Sequence, residues 1–443
     1  MDHFQLRNGE LYCEEVPLAE IAAKVGTPTY VYSTATMLRH VEVFRSGLEG
    51  LRDPLIAYAV KANPNAAVLA TFAKVGLGGD VVSGGEIRRA RAAGMPADKI
   101  VFSGVGKTEA EMRLALDEDV FQFNLESAGE ADALSGVATS MGKVARVAFR
   151  VNPDVAAETH AKITTGLAES KFGIAIAEAP AAYAHAAGLP GLSVQGVAIH
   201  IGSQLTNLAP LEKAFTRVGA LIAELRAQGC AIQVADLGGG LGVPYNPDLP
   251  HPPGPPEYGE MVRRITQDWN VRLVFEPGRL LVGNAGVLLS RVIRIKPGAS
   301  NPFVIVDAAM NDLMRPALYD AWHQIDAVKP TGDRWTANVV GPVCESGDTF
   351  ATGREMDRVE DDELVVFRTA GAYAAAMSST YNSRPLTPEV LVDGDRWAVV
   401  RPRLDVAAMI AADSVPDWLR QGWRPEVVEQ PVVKDADGAT LQR

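Results

Sequence analysis

The chain reads as an α/β protein, a (β/α)8 TIM-type barrel joined to a second, β-rich domain of β-barrel-like character. Three observations predict this. Between about residues 55 and 280, short apolar runs rich in β-branched residues alternate with helix-like segments, as parallel strands joined by helices do. Glycine stop signals follow several of those segments, at Gly76, Gly94 and Gly229. After about residue 284 the texture changes to strand-like runs with few helical patterns.

The strand-like runs are Leu55–Val60, Asp80–Ser83, Ile100–Ser103, Phe121–Glu126, Arg146–Val151, Gly196–Ile201, Gln233–Leu237 and Arg272–Glu276. Asn65–Val75, Gly85–Ala93, Thr108–Asp119 and Pro210–Gln228 are expected as helices between them. Eight strand–helix units over about 245 residues fit a closed barrel in count and length. A doubly wound sheet would carry a glycine-rich turn after its first strand, and Lys-Ala-Asn-Pro-Asn stands there instead. The second domain is expected to use Val287–Ile295, Phe303–Val306, Ala337–Val340, Glu363–Arg368 and Trp397–Val400 as strands and Val406–Ala412 as a helix. The first 35 or so residues bring a strand of their own, Pro28–Tyr32, that fits either domain. Asn246–Glu257, rich in proline, reads as an irregular loop, and the tail beyond about Arg424 has weak pattern.

Composition excludes several classes. Forty-two Lys and Arg against 54 Asp and Glu leave a net charge of −12, which repels nucleic acid and anionic membranes. Cys13, Cys230 and Cys344 are widely spaced and odd in number, which suggests neither a disulfide framework nor a thiolate zinc site. The N-terminus lacks a signal-peptide pattern, and no apolar stretch approaches the roughly 18 residues of a membrane span. A cytoplasmic protein is expected.

Catalytic groups of such a barrel stand at the C-terminal ends of its strands. The first strand ends in Tyr-Ala-Val-Lys-Ala-Asn, so Lys61 follows an uncharged run where desolvation would free its amine as a nucleophile; a lysine reaching from a strand end to solvent is the plain alternative. His200 ends the sixth, where it could face a ring, exchange a proton or simply be structural. Gly238, Gly239, Gly240 and Gly242 follow the seventh and offer bare backbone N–H groups to an anion, or make tight turns. Glu276 and Arg279 end the eighth, as a working carboxylate and guanidinium or as a surface ion pair. Gly104-Val105-Gly106-Lys107-Thr108 imitates a P-loop but lacks its leading glycine, since residue 101 is valine. Histidine pairs at metal-binding spacing and Gly-x-Ser-x-Gly elbows are absent, so no metal is expected and a serine hydrolase is disfavoured. In the second domain Met310–Tyr319, Gly341–Asp348 and Gly371–Tyr373 interrupt the strand pattern with polar residues.

These segments together resemble the fold-type III pyridoxal-phosphate (PLP) decarboxylases, and within them the branch acting on diaminopimelate. Eleven motifs in order carry the likeness: YAVKAN at 58–63, GDVVSGGE at 79–86, FNLES at 123–127, RVNP at 150–153, KFG at 171–173, HIGSQ at 200–204, DLGGG at 236–240, EPGR at 276–279, NDLMRPALY at 311–319, CESGD at 344–348 and GAY at 371–373. The resemblance implies a PLP-binding barrel over 36–283, and a β-rich domain of 1–35 and 284–443 that supplies substrate and dimer-interface residues. It implies a homodimer with shared active sites. Lys61 would carry the cofactor as a Schiff base, His200 would pack on its ring, and Glu276 would pair with its ring nitrogen. Ser203, Gly239, Gly240 and Gly278 would hold its phosphate, with Arg279 and Tyr373 also in the cofactor site. Arg279, Arg315, Tyr319, Glu345 and Tyr373 would bind substrate, and Cys344 would return a proton to the carbon that lost CO2.

The expected reaction is decarboxylation of meso-2,6-diaminopimelate to L-lysine. Arg315 and Tyr319 suit a second substrate carboxylate, and Glu345 follows Cys344 where related ornithine enzymes have aspartate. Decarboxylases of ornithine, arginine or carboxynorspermidine remain as alternatives of the same fold. A non-turnover PLP-binding regulatory protein is the alternative of another class.

Overall fold

The computed structural model describes residues 2–155 and 171–421, and the weakly patterned tail beyond Arg424 lies outside them. The chain divides into two compact units, one spanning Thr36–Asn284 and the other built from the described residues on either side of it.

The first unit is a closed ring of eight parallel strands: Leu55–Ala59, Gly78–Val81, Ile100–Phe102, Gln122–Leu125, Ala145–Asn152, Leu192–Ala198, Val234–Asp236 and Arg272–Phe275. Each pairs with its neighbours in chain order, and the eighth closes on the first through Val274–Leu55 and Phe275–Ile56. Leu55, Ala57, Val101, Val234 and Val274 pack together, so the interior is a filled core.

The turns after the first four strands are set by polar caps. Asn65, Ser83, Thr108 and Ser127 each turn a side-chain oxygen back to a backbone N–H in the first turn of the following helix. Thr108 and Glu111 form a reciprocal capping box. The segment that imitates a P-loop is therefore a helix cap with a buried lysine behind it. Lys107 donates to the Gly104 and Asn124 carbonyls, each at 2.7 Å, and to Glu130 at 2.8 Å. Its side chain has no exposure. The expected loop over Asn246–Glu257 stops short, because a helix starts at Pro255. Proline needs no hydrogen bond in a first turn, and Glu257 accepts from the Gly254 N–H at 3.1 Å.

The second unit carries a mixed sheet. Thr349–Asp357, Arg334–Val340, Phe303–Val306, Gly286–Lys296, Thr29–Ser33, Glu389–Asp393 and Arg396–Arg401 lie side by side in that order. Leu364–Phe367 pairs with both Gly286–Lys296 and Ile325–Ala327. A separate three-stranded sheet is formed by Phe4–Arg7, Glu10–Cys13 and Val16–Pro17. Val31, Val287, Leu289, Val366, Val390 and Val392 join Leu18 and Ile21 in one buried cluster, which ties the N-terminal strand to this unit. The pattern missed Thr349–Asp357, whose sequence TFATGREMD has a central glycine and a polar face. Among the described residues, no helix is long and apolar enough to cross a membrane.

Lys107→Leu should lower unfolding free energy by about 3 kcal/mol, because it strands two carbonyls and a carboxylate inside the barrel wall. Urea denaturation measures this, and a change under about 1 kcal/mol would mean that those acceptors find other donors.

Candidate active site

The ladder registers decide which side chains look into the barrel. Asp80 lies across from Ala59 and Val101, Asn124 from Ala148, and Asp236 from Ala198 and Val274. Counting by twos from the core residues Leu55, Ala57, Val101, Val234 and Val274 puts Asp80, Asn124, Asp236 and Glu276 on the lumen side at the C-terminal ends. The same count puts His200 two residues beyond Ala198.

This mouth is crowded with carboxyl groups. Asp80 is fully buried and pairs with the Lys61 ammonium. That departs from the expectation of a desolvated amine: the turn Val60–Ala62 carries Lys61 past the apolar strand, leaving its side chain 39% exposed and bound to a carboxylate. Asp236 accepts from Asn124 Nδ2 at 2.8 Å and from the Gly238 N–H at 2.9 Å, and it shares a hydrogen bond with Glu276. Burial raises the Asp236 carboxyl to about 6 and pushes Glu276 well above the carboxylate range, where the charges of Asp236 and Asp80 add to the effect. Glu276 Oε1 is buried and meets no hydrogen-bond donor among the described residues. His200 is held well below the usual imidazole range by its low-dielectric surroundings and by Arg150 and Lys61. Its Nδ1 accepts from the Gly239 N–H at 3.4 Å, so the neutral ring carries its proton on Nε2.

The glycines are required by close packing. A Cβ on Gly238, Gly239 or Gly240 would overlap the carbonyl oxygen of Ile199, Glu276 or Gly202 respectively. Gly238 (φ 65°) and Gly240 (φ 115°) also hold left-handed backbone. This packing lays the seventh turn against the sixth and eighth, beside Ser203. The Arg279 guanidinium, 7% exposed, donates to Ser203 Oγ at 3.1 Å and to the Tyr245 hydroxyl at 2.6 Å. Gly278 precedes it as the cap of the short helix Arg279–Val282.

In the second unit, Arg315 and Tyr319 occupy one turn of helix, four residues apart and hence on one face. Asp348 joins two of the interrupting segments by accepting from the Met310 N–H at 2.6 Å and the Val343 N–H at 2.7 Å. The loop so anchored presents Cys344 and Glu345 as exposed residues. Cys344 Sγ lies 3.7 Å from Asn382 Oδ1, and Tyr381 donates a hydrogen bond to Glu345. Tyr373 is half-buried with a left-handed backbone (φ 54°), uncommon for a bulky residue. Sequence reasoning missed Asp80, Asn124 and Asp236 as lumen groups, and also Tyr245, His323 and Tyr381. Asp80 and Asp236 had a signal, a single charged residue in a short strand of otherwise uncharged small or apolar residues; the others meet their partners only through tertiary folding.

Residues 35–283 match the family described as pyridoxal-dependent decarboxylase, pyridoxal binding domain. The chain is 54% identical over 418 residues to a diaminopimelate decarboxylase of Zymomonas mobilis, covering 94% of this chain and 99% of that one. It is 50% identical over 418 residues to the Pseudomonas fluorescens enzyme of that name, with the same coverage. The chain belongs to the diaminopimelate decarboxylase family. Among solved members of this decarboxylase family, that of M. jannaschii in co-complex with L-lysine superposes with a TM-score of 0.89 at 36% identity, over 94% of this chain and 99% of that one. The Helicobacter pylori enzyme complexed with L-lysine gives 0.86 at 36% identity, over 89% and 98%.

For a member of this family prepared without cofactor, the raised carboxyl of Asp236 has a stability consequence. Its folded value of about 6 lies above the ordinary 3.8, so the folded chain holds this proton where the unfolded chain has lost it. The stabilisation is present in full below about 4 and disappears as pH rises through 6. Asp236→Asn should therefore gain on the wild type in melting temperature between pH 4 and pH 6, whatever its constant offset. A pH-independent gap would mean that Asp236 stays ionised throughout.

Proposed function

We propose that the chain decarboxylates meso-2,6-diaminopimelate to L-lysine and CO2 using pyridoxal 5'-phosphate bound at the barrel mouth. The observation that carries this reading is Glu276 Oε1, buried with no hydrogen-bond donor among the described residues, at the focus of a lumen that concentrates carboxyl groups. A protonated ring nitrogen brings both the missing donor and the missing positive charge. The other groups fit the same ligand: Lys61 for the aldehyde carbon, neutral His200 for a ring face, and Ser203, Gly239, Gly240, Gly278 and Arg279 for a phosphate.

When bound, the cofactor supplies an electron-accepting ring for the pair of electrons left by departing CO2. The chain's own groups do the rest. Lys61 would hold the cofactor through its amine. Glu276, as a carboxylate facing a cation, keeps the ring nitrogen protonated. Arg279, Arg315, Tyr319, Glu345 and Tyr373 orient a substrate that carries an amino acid at each end. Cys344 Sγ delivers the proton that replaces CO2. The lysine-bound relatives support a carboxylate-bearing product.

Cys344 and Glu345 are exposed on the described chain, and a proton donor to carbon needs a water-poor site. A second copy of the chain, arranged as a homodimer with shared active sites, would supply it. A reducing cytoplasm suits its three free thiols.

Purified protein reconstituted with PLP should release CO2 from meso-diaminopimelate and not from ornithine, arginine or carboxynorspermidine. Inactivity toward diaminopimelate would overturn the assignment. Lys61→Ala should abolish turnover, and Cys344→Ala should slow it at least ~100-fold while the bound yellow chromophore remains. Mixing the two inactive variants should restore roughly a quarter of the activity, because random exchange makes half the dimers mixed, each with one intact site. Mixtures that stay inactive would argue that Cys344 serves its own chain.

A further inference from the structure

Cys344 stands beside a segment whose backbone is held in an uncommon form. Asn382 (φ 58°) and Ser383 (φ 54°) are successive non-glycine residues in the left-handed region. Asparagine visits that region more readily than most residues, but two such residues in a row cost free energy that the surroundings must offset. The surroundings are specific. Arg384 donates from Nε to Asn311 Oδ1 at 3.1 Å and from Nη2 to the Asp307 carbonyl, with an Asp312 carboxylate oxygen at 3.4 Å. Asn311 Nδ2 donates to the Ser379 carbonyl at 3.0 Å, and the Asn311 carbonyl accepts from the Ser379 N–H at 3.0 Å. Asn311 and Asp312 are themselves buried, so the segment 379–384 is fastened at both ends to a fixed turn.

The middle of that segment meets the loop of the proposed proton donor residue for residue. Tyr381 donates to Glu345, and Cys344 Sγ lies 3.7 Å from Asn382 Oδ1 as a donor to it. The type of side chain at 382 matters chemically. A thiol that gives up its proton becomes a thiolate, and a neighbour that keeps the sulfur in place must suit both forms. The asparagine amide does so: its oxygen accepts from S–H, and its NH2, turned about the terminal torsion, donates to S⁻. A carboxylate would accept only, and its charge would oppose the thiolate.

We propose that Asn382 is a positioning residue that holds Cys344 Sγ in place through both protonation states, accepting from the thiol and donating to the thiolate. The inference rests on the proposed reading of Cys344 as the proton donor. In that step the S–H bond breaks and its electron pair stays on sulfur, while the new C–H bond uses the pair that departing CO2 left. A proton from water then restores the thiol. The left-handed backbone at 382 and 383, secured by Arg384 and Asn311, is what brings the amide to the sulfur.

Glycine and aspartate both tolerate left-handed backbone, so Asn382→Gly and Asn382→Asp change the side chain without straining the segment. Glu345 and Tyr381, the ionisable groups next to the pair, are the same in both. On reconstituted enzyme, Asn382→Gly should lower kcat for meso-diaminopimelate about tenfold, the scale of one lost hydrogen bond, with KM within about threefold of wild type. Cys344 acts only while it carries its proton, so kcat falls as pH rises through the thiol's value. A carboxylate at 382 holds that proton to higher pH, and Asn382→Asp should move the alkaline limb of the kcat profile up by about one pH unit. In a Cys344→Ala background, Asn382→Gly should alter the residual rate by less than about twofold, because the amide acts through the sulfur. A tenfold loss in both backgrounds would mark a merely structural residue and overturn the proposal. So would an alkaline limb that Asn382→Asp leaves in place, or an Asn382→Gly enzyme as fast as wild type while Cys344→Ala is slow. Wild-type turnover by Cys344→Ala itself would remove Cys344 as the donor, and this inference with it.

Discussion

Asp80, Asp236 and Glu276 stand on the lumen side of one barrel mouth, and carboxyl groups withdrawn from water there need protons, hydrogen-bond donors or cations nearby. Each is met differently. Asp80 has the Lys61 ammonium. Asp236 has the Asn124 amide and the Gly238 N–H, and it shares a hydrogen bond with Glu276. Glu276 is left at the end of this chain with one buried oxygen unmatched among the described residues. Asp80 Oδ1 is likewise buried without a hydrogen-bond partner among the described residues, but Asp80 has the Lys61 cation beside it, whereas Glu276 faces the charges of Asp236 and Asp80. A cationic ring nitrogen would reverse the local balance by stabilising the charged form of Glu276.

The phosphate side of the site depends on backbone packing. Side chains on Gly238, Gly239 and Gly240 would collide with carbonyls of the sixth and eighth strand ends, so these glycines allow three successive barrel turns to lie in contact. Ser203 of the sixth turn accepts from the Arg279 guanidinium, which also donates to the Tyr245 hydroxyl. Close packing accounts for these glycines by itself, and the proposed anion binding would use the same turn.

Barrel strands were legible because burial on both faces demands continuous apolar runs, and helix starts were legible where Ser83, Thr108 or Ser127 marks a cap. Thr349–Asp357 was not, since an edge strand with one wet face and a central glycine has the composition of a loop. Lys61, His200 and Glu276 were legible as strand-end groups. Their environments were less so: the partner of Lys61 is Asp80, nineteen residues away and next to it only through the ladder of the first two strands. Lumen parity would have flagged Asp236, two residues beyond apolar Val234, whereas Asn124 has polar Gln122 and Glu126 two residues to either side and is placed only by the ladder. No such rule leads from sequence to the contacts of His323 with Arg315 and with the Arg368 carbonyl, which arise only in the folded second unit.

The two units use opposite electrostatic strategies, and the proposed reaction explains why both are needed. Loss of CO2 leaves electrons that must flow toward a cationic ring, so the group that holds the ring nitrogen must be anionic and dry; the barrel gathers carboxyl groups at its mouth. Recognising a substrate with a carboxylate at each end calls for the reverse, a cationic group such as Arg315. In the barrel, a buried Glu276 oxygen without a hydrogen-bond donor among the described residues suits a positive ligand, whereas the guanidinium of Arg315 suits a negative one. Selectivity for an amino acid with two such ends over a diamine would then follow from placing an anion and a cation at separate points of the substrate.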